Sequence, residues 1–300
     1  MKRLLVVPVA AWLVLGSLPA SAIQMHRSAT TAPRQHIVFI LLENHEYSSV
    51  TSSSMPYLTS ESAKYVTLTR SYAVTHPSLP NYMTLTGGDT FFNSDCHVTD
   101  ASCRTNATNL ADQLNAAGIS WKAYMETMPY SCFKGDSYGP SPNHYVAKHD
   151  PFMHYNDVYS SSKSCSRVVP LTQLSTDLQQ SALPQYAFIT PNECNDAHSC
   201  SLATADHFLS SWIPKIYSGL GSTGVIFVTF DEGSTTAGCC GGVAAGGHIF
   251  SAILGPGAKG STKNSTIVDG YSLLRAVEEN WSLPLLRKAA KAPQLVGWQS

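Results

Sequence analysis

Residues 39–47, FILLENHEY, decide how this chain is read. An apolar run from Ile37 to Leu42 stops abruptly at Glu43, Asn44, His45 and Glu46. The run lacks polar alternation, which predicts a strand covered on both faces. Its polar end has two readings: a strand surfacing into solvent, or one that delivers oxygen ligands to a site. Gln185–Thr190, Gly224–Phe230 and His248–Leu254 repeat the apolar pattern, rich in Val, Ile and Phe. Helical patterns cover Asn109–Ala117, closing at Gly118, then Leu171–Gln180, Ala203–Leu220 and Tyr271–Trp281, the last ending before Pro284. Strands alternating with helices predict an α/β fold, a mostly parallel central sheet with helices on both faces. The polar stretch Phe91–Pro170 predicts one strand near Trp121–Met125 and otherwise disulfide-pinned loops.

Lys2 and Arg3, the apolar stretch Leu4–Leu18 and Ala20-Ser21-Ala22 have the order of a secretory signal peptide, so cleavage after residue 22 and export are expected. The remainder, 23–300, is of a size for one domain. Cleavage removes two of the 19 basic residues and leaves 17 against 20 acidic ones. That balance is slight and unclustered, so nothing argues for nucleic acid or anionic membranes as partners, and no nucleic acid is expected. No later segment predicts stable membrane insertion. Eight cysteines suit an oxidising compartment. Short spacing suggests Cys96 with Cys103, Cys194 with Cys200 and Cys132 with Cys165, leaving Cys239-Cys240 to join each other or pair elsewhere.

Two of the buried runs end in acids: LLEN at Glu43 and VTFDEG at Asp231 and Glu232. Ligands of open α/β sheets bind beyond the carboxyl ends of the strands. Oxygen donors converging there suit a hard divalent cation. In THPSLPNYMTLTGG, residues 75–88, Pro77 and Pro80 restrict the backbone around Ser78, and a helix follows. Ser78 then stands at a positive helix end, as a candidate nucleophile or as a helix cap. Among eleven histidines, His76, His149, His198 and His248 are candidates to hold metal or phosphate, or to protonate a leaving oxygen. For His248, strand entry after a glycine loop is the competing reading. GLGSTG (219–224) precedes a strand instead of following one, and HEYSS lacks the second His of a zinc-protease helix. No Gly-x-Ser-x-Gly elbow supports a serine esterase.

Taken in order, LLENHEY, THPSLPNYMTLTGG, KHDPF, TPNECNDAHSC with ATADHFL, VTFDEG and DGYSLLRAVEENW resemble the phosphoesterase family, which contains phospholipases C and acid phosphatases within the alkaline phosphatase superfamily. The resemblance runs from about His36 to Pro284, and the short chain looks most like the secreted acid phosphatases of mycobacteria and their relatives. It implies an alkaline-phosphatase-like sandwich and a divalent metal held by Glu43, Asn44, Asp231 and Glu232. Ser78 matches the nucleophile that becomes phosphorylated. His149 and His198 match catalytic histidines, and Asp196 lies in the matching Asn-Asp-x-His segment. With His76, Asn81 and His248, Asp196 completes the expected substrate-binding set. The implied activity is hydrolysis of a small phosphate monoester. Alternatives are a phospholipase C acting on phospholipid head groups and a silent binding protein that kept the fold; Glu43, Asn44, Ser78, Asp231 and Glu232 together argue against silence.

Overall fold

The computed structural model describes residues 34–258 and 262–298; the expected signal peptide lies outside them. In chain order the strands are β1 (Ile37–Leu42), β2 (Val66–Tyr72), β3 (Trp121–Met125), β4 (Ser137–Tyr138), β5 (Tyr145–Val146), β6 (Val168–Pro170), β7 (Tyr186–Thr190), β8 (Val225–Phe230), β9 (His248–Leu254) and β10 (Thr262–Asp269). The helices are α1 (Pro56–Lys64), α2 (Ser78–Gly87), α3 (Leu110–Ala116), α4 (Asn156–Ser160), α5 (Ser162–Cys165), α6 (Thr172–Gln179), α7 (Leu202–Gly219) and α8 (Gly270–Asn280). An eight-stranded sheet in the order β10-β2-β9-β8-β1-β7-β3-β6 forms the centre, and β4 and β5 make a separate ribbon.

Strand β1 shows why its sequence carries no alternation. Ile37, Phe39 and Leu41 pack into one core with Leu79, Tyr82 and Met83 of α2, Leu114 of α3 and Leu273 of α8. Val38, Ile40 and Leu42 point the other way, to Leu58 of α1, Leu174 of α6 and Ile213 of α7. Each buried large apolar side chain contributes roughly 1.5–3 kcal/mol, so an acid within this run would forfeit that term and bury an unpaired charge in one of the two cores.

All four apolar runs are strands, but β9 is not parallel: it runs antiparallel to both β8 and β2. Residues 231–247 join β8 to β9 without a crossover helix, and a parallel return needs one. The other pairings, β10 with β2, β8 with β1, β1 with β7, β7 with β3 and β3 with β6, are parallel. Three strands of the main sheet lie outside the predicted set. Strand β2 (VTLTRSY) carries alternating hydroxyls and an exposed Arg70; β10 is a largely exposed edge; β6 is a three-residue edge ending in Pro170. Disulfides join Cys96–Cys103, Cys132–Cys165 and Cys194–Cys200, as the spacing suggested, and Cys239 joins Cys240, one of the two alternatives left open.

Helix α8 buries a carboxyl that the sequence pattern hides on its apolar face. Glu278 is 0% exposed; its Oε1 accepts from Leu286 N–H at 2.9 Å, while Oε2 has no partner among the described residues. Burial pushes this carboxyl up from 4.5 to about 7. The folded chain therefore binds more protons here than the unfolded one, and the group's contribution to stability falls as pH rises from about 4.5 to about 7. Glu278→Gln keeps the acceptor for Leu286 and removes the titration. Measured by urea unfolding, it is expected to gain on the order of 1 kcal/mol over the parent between pH 5 and pH 8. An equal difference at both pH values contradicts this account.

Candidate active site

The carboxyl end of β1 meets the start of α2. Glu43, wholly buried, accepts from Ser78 Oγ at 3.0 Å through Oε2 and from Tyr82 Oη at 2.5 Å through Oε1. Ser78 and Tyr82 are four residues apart on α2, hence on one helix face. Asn81, between them, spends its amide on the preceding turn: Oδ1 accepts from Val74 and Thr75 N–H, and Nδ2 donates to the Thr75 and Pro77 carbonyls. Asn81 thus shapes the turn that presents Ser78.

Strand β8 lies beside β1, which brings the second acidic end alongside the first. Asn44 has φ 59°, a left-handed conformation that asparagine tolerates, and its N–H donates to Asp231 Oδ1 at 3.1 Å. The Asn44 side-chain amide makes no hydrogen bond among the described residues. Glu43 N–H donates to the Asp196 carbonyl at 2.8 Å, tying the segment after β7 to the same edge. The His149 ring stacks on Tyr82 with centroids 5.2 Å apart. Its Nε2 lies 3.3 Å from Glu43 Oε1 and its Nδ1 3.3 Å from Asp196 Oδ2, neither at hydrogen-bonding angles. His198, exposed, sits 5.9 Å from His149 ring to ring, and its N–H donates to Asp196 Oδ1 at 2.8 Å.

Three expected residues point elsewhere. Glu232 directs Oε2 to His76 Nδ1 at 2.7 Å, and His76 Nε2 lies 3.0 Å from the Thr235 carbonyl, so this pair is not part of the Glu43–His149–Asp196 group. The His248 ring is stacked between Tyr47 and Tyr72, with Nε2 on the Thr69 carbonyl at 3.0 Å. The His248 ring thus packs against the two tyrosines beside the end of β2. Glu46, the last acid of the opening stretch, clamps the loop after β8 by accepting from Ser234, Thr235 and His248 N–H. A Cβ at Gly233 would collide with that carboxylate, which explains the glycine of VTFDEG.

The electrostatics fit a cation. Ligand atoms of Glu43, His149 and Asp196 all lie within 4.8 Å of one another. His149 Nδ1 and Nε2, Asp196 Oδ2 and Asp231 Oδ2 are buried without hydrogen-bond partners, an arrangement that costs free energy unless something binds them. Burial, then Asp231 and Asp196, hold the Glu43 carboxyl well above its ordinary range. Burial likewise raises Asp196 and Asp231. Burial and the neighbouring cationic groups push His149 well below its usual value, leaving the neutral imidazole that ligates metals. Residues 48–284 match the model of the phosphoesterase family.

The chain belongs to the phosphoesterase family.

Among curated phosphoesterase relatives, an acid phosphatase of Aspergillus fumigatus is 34% identical over 257 residues, covering 82% of this chain and 55% of that protein. A phosphatidylinositol-3-phosphatase of Mycobacterium tuberculosis is 27% identical over 301 residues, covering 98% of this chain and 93% of that one. The chain spans little more than half the length of the fungal acid phosphatases it matches. Of solved structures, an alkaline phosphatase superfamily protein from Vibrio parahaemolyticus superposes with a TM-score of 0.59 over 87% of this chain and 70% of that one, at 13% identity. That likeness supports the α/β sandwich.

Tyr82, Lys148, Asp95 and Glu193 join the site without having been singled out. Lys148 Nζ lies 3.3 Å from Asp95 Oδ2, 3.8 Å from Glu193 Oε1 and 3.4 Å from His198 Nε2. The spacing of Tyr82 from Ser78 was available as a signal; the carboxylates around Lys148 come from distant segments and left none.

A cation that binds the folded site alone is expected to raise the melting temperature. At a hundredfold excess over Kd the gain is about 2.7 kcal/mol, or several degrees at this chain length. Differential scanning fluorimetry with divalent metals after chelation should show the rise in the parent and its loss in Asp196→Asn. No rise with any of Mg, Ca, Mn or Zn in the parent contradicts the assignment.

Proposed function

We propose that the protein is a secreted, metal-dependent acid phosphatase that hydrolyses phosphate monoesters through phosphorylated Ser78. One observation carries this reading: the Ser78 hydroxyl, at the first turn of α2, donates to a carboxylate within a buried cluster of unpaired ligand atoms. Glu43, His149, Asp196 and Asp231 are the residues that would hold the cation, with Asn44 beside them. When bound, it would supply a Lewis acid that neutralises charge on the phosphoryl oxygens. The names of the fungal and mycobacterial relatives support phosphate esters as substrates, and the mycobacterial one suggests a phosphorylated lipid head group. The disulfides and the leader-like first 22 residues support export.

The chain's own residues account for much of the chemistry. Glu43 Oε2 holds the Ser78 proton on one side of Oγ and leaves lone pairs for attack. Glu43 Oε2 takes the Ser78 proton as the Oγ–phosphorus bond forms and the bond to the leaving oxygen breaks, and that oxygen takes a proton from solvent to leave as the alcohol. Water then attacks phosphorus and gives its proton to solvent, while Ser78 Oγ departs and regains the proton held by Glu43. The positive end of α2 adjoins Ser78, although Pro80 carries no N–H and the Leu79 N–H is bonded to Asp95 Oδ1. Tyr82 fixes Glu43 from the other oxygen, so the acceptor of the Ser78 proton does not rotate.

Ser78→Ala is expected to lose at least about a hundredfold in kcat/KM for an aryl phosphate monoester, about 2.7 kcal/mol of barrier. Its melting temperature should fall by no more than a few degrees, since Glu43 loses one donor and keeps Tyr82. If Ser78 served only to start the helix, stability would fall instead and the rate per folded molecule would hold. Retention of more than about a tenth of the rate sinks the nucleophile assignment.

A further inference from the structure

One charged contact at the start of α2 has no role in the chemistry above. Asp95, beside the Cys96–Cys103 disulfide, accepts from Leu79 N–H at 2.9 Å through Oδ1 and places Oδ2 3.3 Å from Lys148 Nζ. Leu79 directly follows Ser78, so its amide belongs to the helix turn where unpaired N–H groups attract anions. Lys148 directly precedes His149 and also reaches His198. A single carboxylate thus spans an α2 amide and an ammonium, the two kinds of donor that a phosphoryl group at Ser78 asks for.

We propose that Asp95 sets the preference for monoesters over diesters, by competing with the substrate phosphoryl group for Leu79 N–H and Lys148. This rests on the reading of Ser78 as the nucleophile. A phosphate monoester carries about −1.5 to −2 charge near neutral pH, whereas a diester carries about −1. Replacing the Asp95 carboxylate by a monoester adds negative charge where an ammonium and a helix N-terminus meet. Replacement by a diester adds none, so Asp95 holds its place. The Asp95 side chain has room to move: it is 25% exposed and borders a depression of about 170 Å³ shared with His97, Asp136 and Ser137.

Asp95→Asn keeps an oxygen acceptor for Leu79 N–H and removes the charge; Asp95→Ser repeats the test should the first variant not fold. The measurements are calorimetric binding of inorganic phosphate at pH 7.5, with a divalent cation fixed at saturation, and kcat/KM for an aryl monoester and the matching diester. We expect phosphate to bind at least fivefold tighter to Asp95→Asn than to the parent. The diester-to-monoester ratio of kcat/KM should rise at least fivefold. Lys148→Gln should weaken phosphate about tenfold, and Lys148→Arg should restore it. Unchanged phosphate affinity and an unchanged ratio in Asp95→Asn, with or without a lower melting temperature, overturn the proposal and leave Asp95 as an anchor for α2. Weaker phosphate binding overturns it equally. A parent that hydrolyses neither ester defeats the Ser78 reading instead, while the binding comparison still judges Asp95.

Discussion

The Glu43 carboxylate is the joint on which the site depends. It is wholly buried, yet it terminates the most enclosed strand of the sheet, and it binds α2 through both oxygens. An ionised carboxylate in such a place is costly unless donors and a positive charge surround it. Ser78 and Tyr82 supply the donors, and the unpaired atoms of His149, Asp196 and Asp231 mark where positive charge is missing. The same contact sets the distance between the nucleophile and the acidic cluster, so structure and chemistry share one constraint.

The sheet order explains how four remote segments reach that joint. Strands β1, β7 and β8 are adjacent and parallel, so Glu43, the 191–198 segment and Asp231 all leave the sheet at one edge. Strand β2 ends at the same edge and feeds the turn into α2. Its neighbour β9 enters there from the opposite direction, and Glu46 binds the loop between β8 and β9 back to the end of β1. The two acids of ENHE therefore divide the work: Glu43 faces the site and Glu46 secures the loop beside it.

How much of this was legible follows from burial. Runs buried on both faces announce themselves, which is why β1, β7, β8 and β9 were found from their composition; the direction of β9 was not, because direction lies in the connection. Strand β2 and the edge strands β6 and β10 mix hydroxyls, charges and a proline with their apolar residues, and so resemble loops. At the site, Glu43, Ser78 and Asp231 stood out as polar residues breaking an ordered apolar or proline-bounded pattern, and the family motifs added His149, Asp196 and His198. Asn81 and Glu232 share those motifs and His248 stands at a strand entry, but their side chains contact the Ser78 turn, His76 and the Tyr47–Tyr72 pair. Motif membership does not tell a residue that faces the substrate from one that supports the residue facing it.

The central claim is a covalent bond between Ser78 and phosphorus, and it can be observed directly. A brief reaction with an aryl phosphate monoester, quenched in acid and digested, should yield the peptide containing residues 75–88 with one phosphoryl group on Ser78 by mass spectrometry. The phosphorylated fraction should vanish in Ser78→Ala. Active protein quenched during steady turnover, with no phosphate on Ser78 at any quench time or pH, would contradict the account.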